Sequence, residues 1–284
     1  MRFGTARTPE GDRVVVRDGA GARILPLPSV RQALADGVLT DDGAAELVRS
    51  GRPVDLGDLD LAPALSGGKV VCVGHNFRSH ILELGHGLPD RPNVFSKFPE
   101  ALVGPNDDIH LAVASDAWDW EAELAVVIGT AVRWADRETA ARAIAGYSVA
   151  NDVSARDWQR RASQWLLGKT FEATTPLGPW IVTPDEVDPA AGLQISCSVD
   201  GVTKQQSTTA DLLFDAPSLI AYVSQVVTLQ PGDVILTGTP GGVGTARTPP
   251  ERLLPGQLVV TAVEGIGECR NRCVSSGPQP TSNA

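Results

Sequence analysis

Residues 118–129, WDWEAELAVVIG, decide how this chain folds. Side chains of a β-strand alternate between its two faces, so a strand here places the apolar even-numbered positions 122–128 on one face. Glu121 and Glu123 then point to the other face, followed by the apolar positions 125 and 127. Because both faces are apolar beyond the first residues, the pattern predicts a buried strand with two carboxylates at its start.

Two carboxylates that enter a buried setting need compensation, because an unpaired buried charge is strongly disfavoured. A divalent cation is one compensation and a strand end that meets solvent is the other, and the pattern alone leaves both open. Asp152 follows the apolar run YSVA, residues 147–150, where a helix is predicted to begin, so it is either a helix N-cap or a third ligand. With Glu121 and Glu123 it would complete an all-oxygen set that suits Mg²⁺ or Mn²⁺.

Short strand-like runs dominate the rest of the chain without regular alternation of strands and helices. The predicted fold class is therefore mixed α/β and mainly β, rather than a doubly wound sheet. The run Ser66-Gly67-Gly68 separates a small N-terminal α+β domain, residues 1–66, from a main domain, residues 67–274. Residues 275–284 are rich in Ser, Pro and Gly and are predicted to form a frayed tail. Helical patterns are predicted over residues 137–145 and 156–166, among others.

Composition excludes several function classes. The 284 residues carry a formal charge of −10, which disfavours binding to nucleic acid or to an anionic membrane surface. Residues 1–13 contain no apolar signal-peptide core, and no apolar stretch approaches the roughly 18 residues that span a bilayer, so a cytoplasmic protein is expected. Four cysteines are too few for a disulfide framework and are expected to be buried and unpaired. Only four histidines are present, which argues against a histidine-rich metal centre.

Three further features suggest a site. His80 and Glu83 are three residues apart in a helical stretch, which suits either a general base with its orienting carboxylate or a simple surface pair. Lysine is scarce beside arginine, and this scarcity draws attention to Lys97 and Lys169 as places where a compact ammonium is required. Thr239 belongs to the glycine-rich run TGTPGGVG, residues 237–244, which forms either a loop that approaches a ligand or a plain turn.

Taken together and in this order, these segments resemble the fumarylacetoacetate hydrolase family. The resemblance covers roughly residues 69–274, and residues 1–66 look more loosely like the small N-terminal domain that many members carry. The matching words are VGHNFRSHILELG (73–85), PNVFSKF (92–98), DWEAELAVVIG (119–129), GYSVANDVSARDWQ (146–159), LGKTFEATTPLGPWIVTPDEV (167–187), KQQSTTADLLF (204–214) and LQPGDVILTGTPGGVG (229–244).

The resemblance implies a rolled β-sheet domain, usually a homodimer, with Mg²⁺ or Mn²⁺ on a Glu-x-Glu pair and a later Asp. The positions that match the family's functional residues are Glu121, Glu123 and Asp152 for the metal, His80 and Glu83 for the dyad, and Lys169, Gln159 and Thr239 for the ligand. The chain departs from the family pattern at His75 and Phe77. His75 either lies near the pocket, where it would alter substrate choice, or packs beneath the following helix, which we expect. Phe77 lacks the phenol that a tyrosine would offer.

The expected activity is that of a metal-dependent hydrolase, an acylpyruvase or fumarylpyruvase type of enzyme that cleaves a carbon–carbon bond in a 2,4-diketo acid. His80, oriented by Glu83, would activate water, and Lys169 and Gln159 would bind the developing oxyanion or the distal group. Arg78 would attract a small anionic 2-oxo acid or be a solvated helix residue. The same site would also suit an oxaloacetate decarboxylase or a 2-hydroxy-diene-dioate isomerase, and a catalytically silent binding protein of this fold is the alternative outside enzymology.

Overall fold

The computed structural model describes residues 1–39, 44–83, 85 and 87–277, with the backbone but not the side chain of Glu83. In this part of the chain the secondary structure is mainly β. The strands are β1 (Arg2–Ala6), β2 (Arg13–Asp18), β3 (Gly21–Ile24), β4 (Arg52–Val54), β5 (Val70–Gly74), β6 (Asn93–Lys97), β7 (Leu102–Val103), β8 (Ile109–Ala112), β9 (Trp118–Asp119), β10 (Ala122–Ile128), β11 (Ile144–Asn151), β12 (Ser154–Ala155), β13 (Thr175–Val182), β14 (Gln194–Val199), β15 (Val202–Thr208), β16 (Val234–Leu236), β17 (Leu258–Val263) and β18 (Gly267–Ser276). The helices are α1 (Val30–Ala35), α2 (Ala44–Ser50), α3 (Arg78–Glu83), α4 (Arg137–Arg142), α5 (Arg156–Gln159), α6 (Leu166–Lys169) and α7 (Ala216–Ser224).

One large mixed sheet forms the centre of the molecule. Its strand order is β4-β3-β2-β1-β13-β11-β10-β16-β5-β6, and β7 pairs alongside β13. The predicted strand β10 lies near the middle, antiparallel to β11 on one side and to β16 on the other. All of its residues are buried, as expected for a strand that is apolar on both faces.

The two faces of β10 contribute to two different hydrophobic clusters. The even-numbered positions 122–128 pack into one cluster, and positions 125 and 127 pack into the other. A second sheet, in the order β15-β14-β17-β18-β8, supplies Ile195 and Val259 to the first cluster, so it covers one face of the central strands. Helix α1 contributes Val30, Ala33 and Leu34 to the second cluster on the opposite side. The mixed, mainly β fold class is confirmed.

The N-terminal segment continues the central sheet. Strand β1 pairs antiparallel with β13, so β1 to β4 extend the same sheet that contains β10. The division into a small domain, residues 1–66, and a catalytic domain stays a prediction, but the two segments share hydrogen-bonded strands. The tail begins later than expected, because Ser275 and Ser276 pair with Leu111 and Ala112 of β8. Residues 278–284 lie outside the described part of the chain.

Two helix predictions were wrong in extent. In the stretch 156–166 only α5 is helical before α6 begins at Leu166, and the two single-turn helices pack so closely that a side chain at Gly168 would meet the backbone nitrogen of Gln159 at 2.3 Å. Helix α4 ends at Arg142 rather than at residue 145, because residues 144–151 pair with β10 as strand β11. In both places tertiary packing overrides the local helical pattern. Within the described residues, every helix is too short or too polar to cross a membrane.

Candidate active site

The pairing of β10 with β11 brings three carboxylates together. Ala122 lies opposite Asn151, and the N–H of Asp152 donates to the carbonyl of Glu121 at 2.9 Å, so the end of one strand faces the start of the other. Glu121, Glu123 and Asp152 are buried, and their ligand oxygens all lie within 4.8 Å of one another. The structure therefore assembles the all-oxygen set that the sequence suggested.

Glu123 is the carboxylate with the least favourable surroundings for a charge. Burial, together with the nearby charges of Asp152 and Glu121, raises the pKa of Glu123 well above its usual value. One of its oxygens, Oε2, accepts from the backbone N–H of Gly238 at 2.6 Å. Gly238 has a φ of +98°, and a side chain there would meet the carbonyl of Val73 at 2.9 Å, so glycine permits this close approach.

Two buried lysines face these carboxylates. Lys169 Nζ donates to Glu121 Oε2 at 2.7 Å and to Asp152 Oδ2 at 2.8 Å, and Lys97 Nζ donates to Asp152 Oδ1 at 2.5 Å. Burial opposes the charge of Asp152, but both ammonium groups outweigh burial and lower the pKa of this carboxyl. The N-cap position of α5 is occupied by Ala155, so the N-cap alternative for Asp152 is wrong.

A buried arginine extends the ion-pair network, and sequence reasoning did not single it out. Arg156 donates from Nε to Asp119 Oδ2 at 2.8 Å and contacts Glu121 Oε1 from Nη1 at 2.6 Å. Asp119 also accepts from the N–H of Gly244 at 2.7 Å and from that of Thr245 at 3.0 Å. The ion pair of Asp119 and Arg156 thus connects Glu121 to the glycine-rich loop that follows Thr239.

A cavity of about 260 Å³ opens onto Glu121. The predicted residues that line it are His80, Gln159, Lys169 and Thr239, so the structure brings four ligand or catalytic candidates to one space. Arg156 and Arg160 line it as well.

His75 also lines this cavity, contrary to the expectation that it packs beneath the helix. The backbone of His75 has a φ of +55°, and its ring meets the edge of Trp165 with the ring centroids 5.7 Å apart. This left-handed conformation directs the chain away from helical geometry just before α3. The side chain of Phe77 is fully buried.

Hydrogen bonds hold Gln159 and Thr239 in place. Gln159 Oε1 accepts from Arg156 Nη1 at 3.0 Å. Thr239 Oγ1 accepts from Gln205 Nε2 at 2.8 Å, which leaves the hydroxyl hydrogen available for donation. Gln205 also accepts from the N–H of Ala122 at 2.9 Å, so one buried side chain connects the metal-ligand strand to Thr239. Its contribution was missed because its partners are far apart in the sequence.

The structure places the predicted site residues of helix α3 differently. His80 is buried and lines the cavity, whereas the side chain of Glu83 lies outside the described residues, so the predicted dyad stays a prediction. Arg78 is not brought to the cavity in the described structure. Its Nη1 donates to the carbonyl of Leu212 at 2.6 Å, and the neighbouring Ser79 is hydrogen-bonded to Asp211. Arg78 therefore ties α3 to the segment after β15, because backbone carbonyls are its observed partners.

The cysteines are free and buried, as predicted. Burial raises the pKa of Cys197 and of Cys273 to about 12, so neither thiol is poised to act as a thiolate. We assign them to the core.

Sequence comparison places this architecture in a known family. A family profile described as "Fumarylacetoacetate (FAA) hydrolase C-terminal" matches residues 69–274, which contain the carboxylates and most of the cavity lining. The chain belongs to the fumarylacetoacetate hydrolase family. The range agrees with the one over which the sequence words resemble this family, and the carboxylate set fits the divalent cation that such a family member would hold.

Relatives and solved structures of this family cover most of the chain. "Oxaloacetate tautomerase FAHD2A, mitochondrial" of Bos taurus is 49% identical over 216 residues, which are 75% of this chain and 69% of the relative. A 5-carboxymethyl-2-hydroxymuconate delta-isomerase from Mycobacterium smegmatis is 37% identical with a TM-score of 0.80, covering 98% of this chain and 100% of that one. A fumarylacetoacetate hydrolase from Exiguobacterium antarcticum is 31% identical with a TM-score of 0.87, covering 97% of this chain and 100% of that one.

One prediction is corrected by these relatives. The sequence led us to expect a cytoplasmic protein, but the bovine relative of this fumarylacetoacetate hydrolase family member is named as mitochondrial. The expectation of a cytoplasmic location is therefore contradicted, and amino-acid composition does not report the compartment in which a protein works.

Proposed function

We propose that this protein catalyses keto–enol tautomerisation of an oxaloacetate-like 2-oxo acid, with Mg²⁺ or Mn²⁺ held by Glu121, Glu123 and Asp152. The observation that carries the proposal is the buried set of three carboxylates with oxygens within 4.8 Å, beside a cavity lined by His80. The 49% identity to an oxaloacetate tautomerase over 216 residues supports the choice of reaction.

The donor set fits a hard divalent cation. All three groups are carboxylates, the ligand type that Mg²⁺ and Mn²⁺ prefer. Burial and its neighbours disfavour the charge of Glu123, and a cation at this position would relieve that cost. When bound, the cation supplies Lewis acidity, which favours loss of a proton from the carbon beside a 2-oxo group.

The charge of the site suits an anionic substrate once the cation is present. The network contains four carboxyl groups, Asp119, Glu121, Glu123 and Asp152, and three cationic groups, Lys97, Arg156 and Lys169. A divalent ion would add two positive charges to this network. We therefore expect the loaded protein to attract a dianion more strongly than the metal-free protein does.

The side chains around the cavity have separate tasks in the proposed reaction. His80 moves the proton: it takes the proton from C3 of the substrate and returns it to the oxygen on C2, so the net composition is unchanged. Thr239 donates its hydroxyl hydrogen to the substrate, because its oxygen already accepts from Gln205. Gln159 offers its amide N–H groups, because its carbonyl oxygen is occupied by Arg156.

Proton transfer replaces carbon–carbon hydrolysis as the favoured activity. The sequence-based hypothesis chose hydrolysis because a histidine with an adjacent carboxylate suits water activation. A histidine that lines the cavity can equally well act as the base that removes a proton from carbon. The bovine and mycobacterial relatives are named for tautomerisation and isomerisation. Hydrolysis, by contrast, requires a second carbonyl and a placed water molecule in addition to the same base.

The test follows the enol form of oxaloacetate by its ultraviolet absorbance in the presence of Mg²⁺ or Mn²⁺, with pyruvate measured in parallel. We expect metal-dependent equilibration of enol and keto forms that outpaces pyruvate release. Substitution His80→Gln should abolish this acceleration, whereas His110→Gln, which changes an exposed histidine on β8, should leave it intact. Pyruvate formed as fast as the enol disappears would identify a decarboxylase instead, and carboxylic acid released from an acylpyruvate would restore the hydrolase.

A further inference from the structure

Arg160 differs from the other lysine and arginine side chains of the cavity in its partners. Arg156 is paired with Asp119 and Glu121, and Lys169 is paired with Glu121 and Asp152. Among the described residues, no carboxylate lies within ion-pair distance of Arg160, although its side chain lines the same cavity. Its charge is therefore available to a ligand, whereas the charges of the other two are largely neutralised.

A hydrogen bond connects Arg160 to the other residues of the site. Its Nη2 donates to Thr245 Oγ1 at 2.6 Å, and the N–H of Thr245 donates to Asp119 Oδ2 at 3.0 Å. Asp119 is the carboxylate that also holds Arg156, which in turn contacts Glu121. A short chain of contacts thus connects Arg160, an exposed residue that lines the cavity, to Glu121, the first metal-ligand candidate.

Guanidinium chemistry restricts what Arg160 can recognise. A planar fork of N–H donors matches a carboxylate, and its charge is not lost at any physiological pH. With Nη2 directed to a neutral hydroxyl, the remaining N–H donors can face a second group of the substrate. A cavity of about 260 Å³ is smaller than the sites that take drug-sized ligands, so that second group must belong to a small metabolite.

We propose that Arg160 binds the distal carboxylate of a dicarboxylic 2-oxo acid and makes the protein selective for dicarboxylates over monocarboxylates. This inference rests on the proposed function, because it takes the 2-oxo group of the substrate to lie at the cation that Glu121, Glu123 and Asp152 would hold. It names the residue that selects the second carboxylate.

The test measures binding without turnover. Malate and 2-hydroxybutanoate share a 2-hydroxy acid group and differ in having a carboxylate or a methyl group at C4. We would titrate each into the full-length protein with Mg²⁺ by calorimetry. The expected preference of the wild-type protein for malate is about tenfold to a hundredfold, as for hydrogen bonds to a charged group.

Two matched variants separate a specific contact from a general charge effect. Arg160→Gln should reduce the preference for malate to within about twofold. Arg161→Gln removes the same charge from the next residue, whose guanidinium lies 3.7 Å from the ring centroid of Trp158, and should retain the full preference. Equal affinities in the wild-type protein, a preserved preference in Arg160→Gln, or a loss in both variants would each overturn the assignment. Absence of oxaloacetate tautomerisation would refute the proposed function alone, since binding is measured on inert ligands.

Discussion

Lys97 Nζ lies 2.5 Å from Asp152 Oδ1, and neither side chain is exposed to solvent. Lys97 ends strand β6, at the edge of the central sheet, and Asp152 follows β11. Asp152 also accepts from Lys169, so one carboxylate balances two buried cations and still faces the other two carboxylates of the site. The ion pair therefore has a structural task, because it keeps Asp152 ionised whether or not a metal is bound.

We expect Lys97→Met to destabilise the protein by about 3 kcal/mol, at the lower end for a broken buried pair because Lys169 still contacts Asp152. The measurement is urea-induced unfolding in EDTA, so that metal binding does not contribute. Lys204→Met is the matched control, since Lys204 forms an ion pair with the partly exposed Glu251 and should cost no more than about 1 kcal/mol. Equal losses in both variants would contradict the importance of the Lys97 pair.

The response to metal should depend on Glu123. Because burial and its neighbours disfavour the charge of this carboxylate, we expect Glu123→Gln to be at least as stable as the wild-type protein in EDTA. Addition of Mg²⁺ or Mn²⁺ at about 100 times the dissociation constant should stabilise the wild-type protein by about 2.7 kcal/mol and the variant by much less. Thermal melting with and without metal measures both. If the melting temperature of the wild-type protein is the same with metal and with EDTA, this result argues against the metal site.

Strand periodicity drew attention to Glu121 and Glu123 but left a metal site and a solvent-exposed strand end both open, and the resemblance to the family decided for the carboxylate set. Asp152 directly follows the strand that pairs with β10, so sheet pairing brings it to the two glutamates. The burial of both faces of β10 followed from the same pattern. This is the part of the molecule where local and tertiary preferences point in the same direction.

Long-range contacts were beyond what the sequence could reveal. Gln205 lies on the second sheet, 83 residues from the N–H of Ala122 that it accepts from, and no local pattern marks such a partner. Arg78 was interpreted either as a residue that attracts an anionic substrate or as a solvated helix residue, and its Nη1 donates to a carbonyl 134 residues away. Helix propensity over residues 156–166 could not anticipate that the chain must turn to bring Lys169 to the carboxylates.

The N-cap residue of α7, Asp215, should make the stability of the protein decrease at acid pH. Burial favours the neutral form of Asp215, but hydrogen bonds with Arg137 and Ser218 outweigh burial and lower the pKa of this carboxyl. A lowered folded-state pKa contributes stability above the usual Asp value of about 3.9 and loses it as pH falls through the folded-state value. Asp215→Asn should therefore cost about 0.5–1 kcal/mol at neutral pH and almost nothing near pH 2, by chemical unfolding at both pH values. Equal losses of stability in Asp215→Asn at neutral pH and near pH 2 would contradict a contribution from the charge of Asp215.

Gln205 and Thr239 should act as one unit in catalysis. Gln205 Nε2 donates to Thr239 Oγ1 at 2.8 Å and to the carbonyl of Pro240 at 2.9 Å, which orients the threonine hydroxyl toward the cavity. We expect Gln205→Leu and Thr239→Val each to lower kcat/KM for oxaloacetate tautomerisation by about tenfold, the loss of roughly one hydrogen bond in the transition state. The double variant should fall little further, because the second substitution removes an interaction that the first has already lost.

Measurements of stability and of activity distinguish two roles of Gln205, as the acceptor for the N–H of Ala122 and as the donor to Thr239. Gln205→Leu leaves the buried N–H of Ala122 without its acceptor and should destabilise the protein by about 1–3 kcal/mol, whereas Thr239→Val should not. Gln206→Leu, at the exposed neighbouring position of β15, is the control for a leucine in this strand and should change neither quantity. The rates are measured well below the melting temperature of each variant. If the two residues are coupled, kcat/KM of the double variant should be about tenfold below that of the wild-type protein, rather than a hundredfold. A hundredfold deficit would mean that Gln205 acts independently of Thr239, because independent contributions multiply in rate.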